Sequence, residues 1–157
     1  MRRTHAALLL GVVLALGVAL AVPLLADHVA AQRVDDVSAT VTDVGTVDES
    51  TVAVDLELSN PAPRPLVVPD GSSTSGVYAL GPDGEAVNEP RRTTVDGATL
   101  PAGGTGTITA TLELKEAFHG QGADALAGTT LRGTLTLRLD GAFLETEITA
   151  PVGGDGG

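Results

Sequence analysis

Strict two-residue alternation is the feature that most limits what this chain can become. From Thr51 to Ser59 the apolar side chains Val52, Val54, Leu56 and Leu58 alternate with Thr51, Ala53, Asp55, Glu57 and Ser59. An extended backbone points successive side chains to opposite faces, so this segment buries one face and wets the other, as strands of antiparallel sheets do. The pattern returns from Thr105 to Leu114, with Ile108, Ala110, Leu112 and Leu114 inward and Thr107, Thr109, Thr111 and Glu113 outward. It returns again where Leu131, Gly133, Leu135, Leu137 and Leu139 alternate with Thr130, Arg132, Thr134, Thr136 and Arg138. The β-branched threonines on the wet parity suit a pleated surface.

Between these runs the punctuation is that of turns. A first strand is expected where Val37, Ala39 and Val41 face away from Ser38, Thr40 and Thr42, and a short extended piece covers Leu66 to Val68. Ser75 to Leu80 leads through Gly81-Pro82-Asp83-Gly84 into Glu85 to Glu89, which predicts a hairpin. A short strand near Ala98 to Leu100 stops at Pro101-Ala102-Gly103-Gly104, and Asp140-Gly141 turns the chain into a last strand, Phe143 to Ala150. Alternation fails between Glu116 and Gly128, and Gly122 to Gly128 predicts one or two helical turns. Seven or eight short antiparallel strands with one short helix describe an all-β sandwich over residues 34–152. The tail after Val152 has nothing to bury, so disorder is expected over 153–157.

The start of the chain follows another rule. Ala6 to Ala26 carries no charged side chain. At about 1.5 Å per residue, such a run as a helix spans roughly 31 Å, the thickness of a bilayer core. A single transmembrane helix over 6–26 is therefore expected, with 27–33 as linker. Arg2 and Arg3 precede the run and Arg33 alone follows closely, so the positive-inside bias puts residues 1–5 in the cytoplasm and the sandwich outside it. A cleaved signal peptide is the rival reading, with Val29-Ala30-Ala31 as its small residues. The run exceeds the usual signal core, which favours the uncleaved anchor.

Charge and chemistry narrow the function classes. Nine Lys and Arg against twenty Asp and Glu give a net charge of −11. Setting aside Arg2 and Arg3 leaves seven basic against twenty acidic side chains, a charge of −13 on the remainder. Such a surface repels polyanions, so no nucleic-acid partner is expected. The acidic surplus points either to life in concentrated salt or to a codon bias towards Arg, Ala, Gly and Val. With no cysteine, disulfides, thiolate metal sites and Cys nucleophiles are excluded. His5, His28 and His119 lie far apart, and the acidic groups at Asp35, Asp36, Asp43, Asp83 and Glu85 lack the spacing of a calcium loop. No catalytic, cofactor-binding or metal-ligating residue and no small-molecule substrate is assigned, and no enzyme activity is expected.

One junction carries family information. The strand Val54, Leu56, Leu58 runs into Asn60-Pro61, passes an irregular crossing with two further prolines, and reaches a strand containing Tyr78. Asn60 suits a backbone-bonded corner and Pro61 stops the ladder, as a move from one sheet to another requires. Together with Leu100-Pro101-Ala102-Gly103-Gly104 before a long Thr-rich strand, this order resembles the type 2 late-embryogenesis-abundant proteins, which include the water-stress and hypersensitive-response domain. The usual Asn-Pro-Asn is here Asn60-Pro61-Ala62. The resemblance implies an immunoglobulin- or fibronectin III-like sandwich, a structural role for Asn60, Pro61 and Tyr78, and a non-enzymatic part in tolerance of desiccation and osmotic stress at a membrane. The other reading is an envelope module that binds a protein or glycan partner, either anchored or secreted after signal cleavage.

Overall fold

The computed structural model describes residues 28–71, 77–89 and 92–153. The expected cytoplasmic segment 1–5, the expected transmembrane helix 6–26 and residues 154–157 of the expected tail lie outside them. Among the described residues no helix is long and apolar enough to cross a membrane.

Nine strands follow a short helical segment at 28–32 and a 3-10 turn at Val34–Asp36. They are β1 (Ser38–Thr46), β2 (Thr51–Ser59), β3 (Leu66–Val68), β4 (Tyr78–Leu80), β5 (Thr94–Asp96), β6 (Ala98–Leu100), β7 (Thr105–Glu113), β8 (Thr130–Leu139) and β9 (Ala142–Pro151). Every pairing is antiparallel. One sheet has the order β1-β2-β7-β5. In the other, β9 lines one edge of β8 along its whole length, β4 and β3 share the opposite edge, and β6 pairs with β3. The two layers form a β-sandwich with little helix.

The alternating runs fold as their period requires. Val52, Val54, Leu56 and Leu58 of β2 stand beside Leu112, Ala110 and Ile108 of β7 on one sheet, and with Leu131, Leu135 and Leu137 of β8 on the other sheet they make an interior of aliphatic side chains, all buried. Each fully buried Leu, Ile or Val contributes roughly 1.5–3 kcal/mol through the apolar surface it removes from water. None of the aromatic side chains is among the fully buried ones.

Three expectations are corrected and one is sharpened. Among the described residues there are nine strands rather than seven or eight, because β5 is present as a separate three-residue strand on β7. The expected strand Glu85 to Glu89 is two isolated bridges, Leu80 with Ala86 in one sheet and Asn88 with Leu114 in the other, because the chain changes layers within it. The helical turns expected over Gly122 to Gly128 are present as a 3-10 segment, Gly122–Leu126, and a second 3-10 turn, Glu116–Phe118, precedes it. Val37 is buried ahead of β1 rather than within it, and a bulge between Val41 and Asp43 shifts the later half of that strand.

Gly97 marks another change of layer. It separates β5 in one sheet from β6 in the other, and a Cβ there would stand 2.3 Å from the carbonyl oxygen of Val68. Only glycine admits that approach.

Candidate functional site

Asn60 is fully buried where the chain leaves β2 in one sheet for β3 in the other. Its side-chain Nδ2 donates to the carbonyl oxygens of Arg64 at 2.9 Å, Leu100 at 3.2 Å and Pro101 at 3.0 Å. Its Oδ1 accepts from the Ala62 N–H at 2.9 Å, and its own N–H donates to Gly104 at 2.8 Å. Two amide hydrogens serve three acceptors, so one is shared. Both the amide nitrogen and the amide oxygen of the side chain are engaged by backbone, holding the 60–65 crossing to the turn after β6. Arg64 in this crossing pairs at 2.5 Å with Asp140 in the β8–β9 turn, which extends the tie to the second hairpin.

Tyr78 lies elsewhere. It stands on the outer face of β4, 42% exposed, directly opposite Arg132 of β8, which is itself opposite Thr149 of β9. With Leu80, Thr134 and Glu147 these residues line an open hollow of about 460 Å³. The three residues of the sequence motif therefore do not converge: Asn60 and Pro61 form a corner at one end, and Tyr78 belongs to a surface near the other.

Two features escaped the sequence reading. Asn88 is as buried as Asn60; its Oδ1 accepts from the Ala79 N–H at 2.8 Å and its Nδ2 donates to the Val77 carbonyl at 2.9 Å. It completes the edge of β4 while its backbone reaches the end of β7. Its signal was present in Asn88-Glu89-Pro90, an Asn closing an extended run just before a proline. The second is Phe143, 68% exposed on the outer face of the β8–β9 sheet and directly opposite Arg138. It shares the parity of Glu145, Glu147 and Thr149, so the alternation itself places this ring in water.

Ionisable groups gather at one further place. Glu89, Arg92, Glu113, Lys115, Glu116 and His119 border a hollow of about 250 Å³, where Arg92 pairs with Glu113 at 2.5 Å and His119 Nε2 lies 3.1 Å from the Leu114 carbonyl. Among the described residues no three His, Cys, Asp or Glu side chains stand together in a way that could hold a metal ion. In the β1–β2 turn, Asp48 accepts from the Ser50 backbone N–H at 2.8 Å and from its hydroxyl at 3.1 Å. The Ser50 N–H, followed by the Thr51 hydroxyl, holds the Asp48 carboxyl below its usual 3.8.

No protein family and no curated protein matches the chain. Among solved structures, the chain is similar to a PapD-like domain of human CEP192, at 12% identity over 74% of this chain and 84% of that one, with a TM-score of 0.32. It is also similar to a protein from Archaeoglobus fulgidus, at 19% identity over 74% and 91%, TM-score 0.40. A third is the secreted Mycobacterium tuberculosis protein MPT63, at 16% identity over 73% and 81%, TM-score 0.37.

Proposed function

We propose that this chain is a non-enzymatic, single-pass membrane protein of the type 2 late-embryogenesis-abundant kind, with an immunoglobulin- or fibronectin III-like sandwich held outside the cytoplasm, and that it contributes to tolerance of desiccation and osmotic stress. The observation that carries this reading is the division of labour between the faces of the sandwich. The interior is closed by Leu, Val, Ile and Ala, whereas the outer faces present Thr hydroxyls and carboxylates, among them Asp55, Glu57, Thr107, Thr109, Thr111, Glu145 and Glu147. Carboxylates and hydroxyls hold water strongly, and a surface of one sign keeps neighbouring macromolecules apart as water is withdrawn. The backbone-bonded side chain of Asn60 supports the structural role that the resemblance gives it.

The test dries vesicles enclosing a labile enzyme, with and without the full chain in their membranes, then measures dye leakage and enzyme activity after rehydration. Vesicles bearing the protein are expected to retain more of both. Equal losses would remove the reading.

A second reading, an envelope module that binds a protein or glycan, is favoured by the open hollow at Tyr78 and Arg132. It predicts a stoichiometric partner on pull-down from solubilised membranes, and Y78A should release it.

A further inference from the structure

We propose that the end of the sandwich bearing Phe143 and Arg138 rests on the bilayer that holds residues 6–26, with the Phe143 ring at the boundary between headgroups and acyl chains and the Arg138 guanidinium on a lipid phosphate. The proposal deepens the membrane reading above and rests on it.

The strand registers place the chain's entry at this end. β1 begins at Ser38, opposite Ser59, the last residue of β2, and Asn60 follows at once. The Asn60 crossing is tied through Arg64 to Asp140, and the β8–β9 turn pairs Leu139 with Ala142, one residue before Phe143. Arg138 sits opposite both Phe143 and Val67. The entering segment has no slack, because Ala30, Val34 and Val37 are buried in the core and the Val34–Asp36 turn lies against β9. From Ala26, the last residue of the apolar run, to Ala30 is four residues, which extend to about 14 Å at most. A span that ends at Ala26 therefore holds this end of the body against the headgroups.

The surface there matches what it would meet. Phe143 is the most exposed of the large apolar side chains described, at 68%. An aromatic ring beside a long cationic side chain suits the interface, where the ring sits at the acyl boundary and the guanidinium reaches back to phosphate. The charges also favour this end. Arg33, Arg64 and Arg138 stand against Asp35, Asp36 and Asp140, so they cancel, whereas the far end carries Asp48, Glu49, Glu89, Glu113, Glu116 and Asp124 against Arg92 and Lys115 and keeps an acidic surplus. An acidic body can approach anionic headgroups with least repulsion by the end whose charges balance.

The chain contains no tryptophan, so a single substitution gives a clean reporter. The full chain is placed in phosphatidylcholine vesicles containing phosphatidylglycerol, with or without bromine on the lipid acyl chains, as F143W, as Y78W at the far end, and as L16W within the apolar run. The expected result is that bromolipid quenches the F143W indole several-fold more than the Y78W indole, and that adding R138E to F143W reduces its quenching. If L16W is quenched but F143W is quenched no more than Y78W, the anchor stands and the contact is refuted. If L16W is not quenched, the anchor reading fails and the contact fails with it. A blue-shifted F143W emission without bromolipid quenching means that protein covers the ring, as a second copy of the chain would, and that also overturns the contact.

Discussion

Asn60 shows how much one side chain can hold when it lies between layers. Asn60→Ala leaves the Ala62 N–H and the Leu100 and Pro101 carbonyls without their partner in a buried corner. Each orphaned group costs about 1–3 kcal/mol, so a loss of about 3 kcal/mol or more in unfolding free energy is expected by urea titration. Asn60→Asp keeps the acceptor for Ala62 but turns a carboxylate oxygen towards three carbonyls. Its loss should match or exceed that of alanine at pH 7 and shrink as acid protonates the carboxyl and restores a donor; an Asp variant with no such recovery would contradict this account. Gly122 is a second single-residue constraint. Its φ is +57°, and a Cβ there would lie 2.3 Å from Thr46 Oγ1, which accepts from the Ala123 N–H. Gly122→Ala should cost about 2 kcal/mol from the left-handed backbone and the overlap together, and part should return in the G122A/T46A double variant. Asp48 contributes one part of the pH dependence. Its carboxyl is held below 3.8 in the folded chain, so its stabilisation is complete above that value and is lost as pH falls through the lowered one. Asp48→Asn should therefore flatten the acid limb of the stability curve near and below pH 3.8 and leave its shape near neutrality unchanged.

At the scale of elements, two long ladders carry the sandwich and the short strands decorate it. β2 pairs with β7 over the whole of both strands, as β8 does with β9, whereas β3, β4, β5 and β6 have three residues each. Amides at the centres of β7 and β8 should exchange with solvent at least tenfold more slowly than those of β4 and β6, because opening a three-residue strand breaks few bonds and exposes little core. Hydrogen exchange read by mass spectrometry on peptides from these strands checks it, and uniform protection would contradict it. The same division explains what could be read in advance. β2, β7 and β8 repeat their period four or five times, enough to fix both strand and face from the sequence. β5 offers a single inward residue, Val95, before Gly97, and one residue has no period. The Glu85 to Glu89 segment alternates acceptably, but its two bridges lie in different sheets, a fact of tertiary placement. Gly122 and Gly128 both have positive φ and bracket too few residues for an α-helix. The corner at Asn60 was legible from Asn-Pro; its partners Leu100 and Pro101, some forty residues on, were not, because nothing local to either segment names the other.

For the whole molecule the governing quantity is its unbalanced charge, and the structure shows where part of that imbalance acts. Asp43 of β1 stands directly opposite Asp55 of β2 at the bulge, on a sheet that also carries Glu57, Asp96 and Glu113. Like charges in a directly paired position destabilise a sheet by roughly 0.2–1 kcal/mol. Asp55 is eased by the Thr109 hydroxyl, which donates to its Oδ1 at 2.7 Å, but no cation is paired with it among the described residues. The screening length falls from about 30 Å at 0.01 M salt to about 3 Å at 1 M, so repulsion summed over the sandwich should fade across that range. The melting temperature of the full chain in uncharged detergent should accordingly rise by several degrees from 0.01 M to 1 M sodium chloride. Screening can be separated from general salting-out by one substitution. Asp43→Asn removes one member of this directly paired set of like charges, so it should stabilise the protein by about 0.5 kcal/mol at 0.01 M salt and by little at 1 M. If the gain is the same at both concentrations, it comes from strand propensity rather than charge; if the wild-type melting temperature is flat as well, the acidic surface does not encode adaptation to salt, and codon bias accounts for the composition.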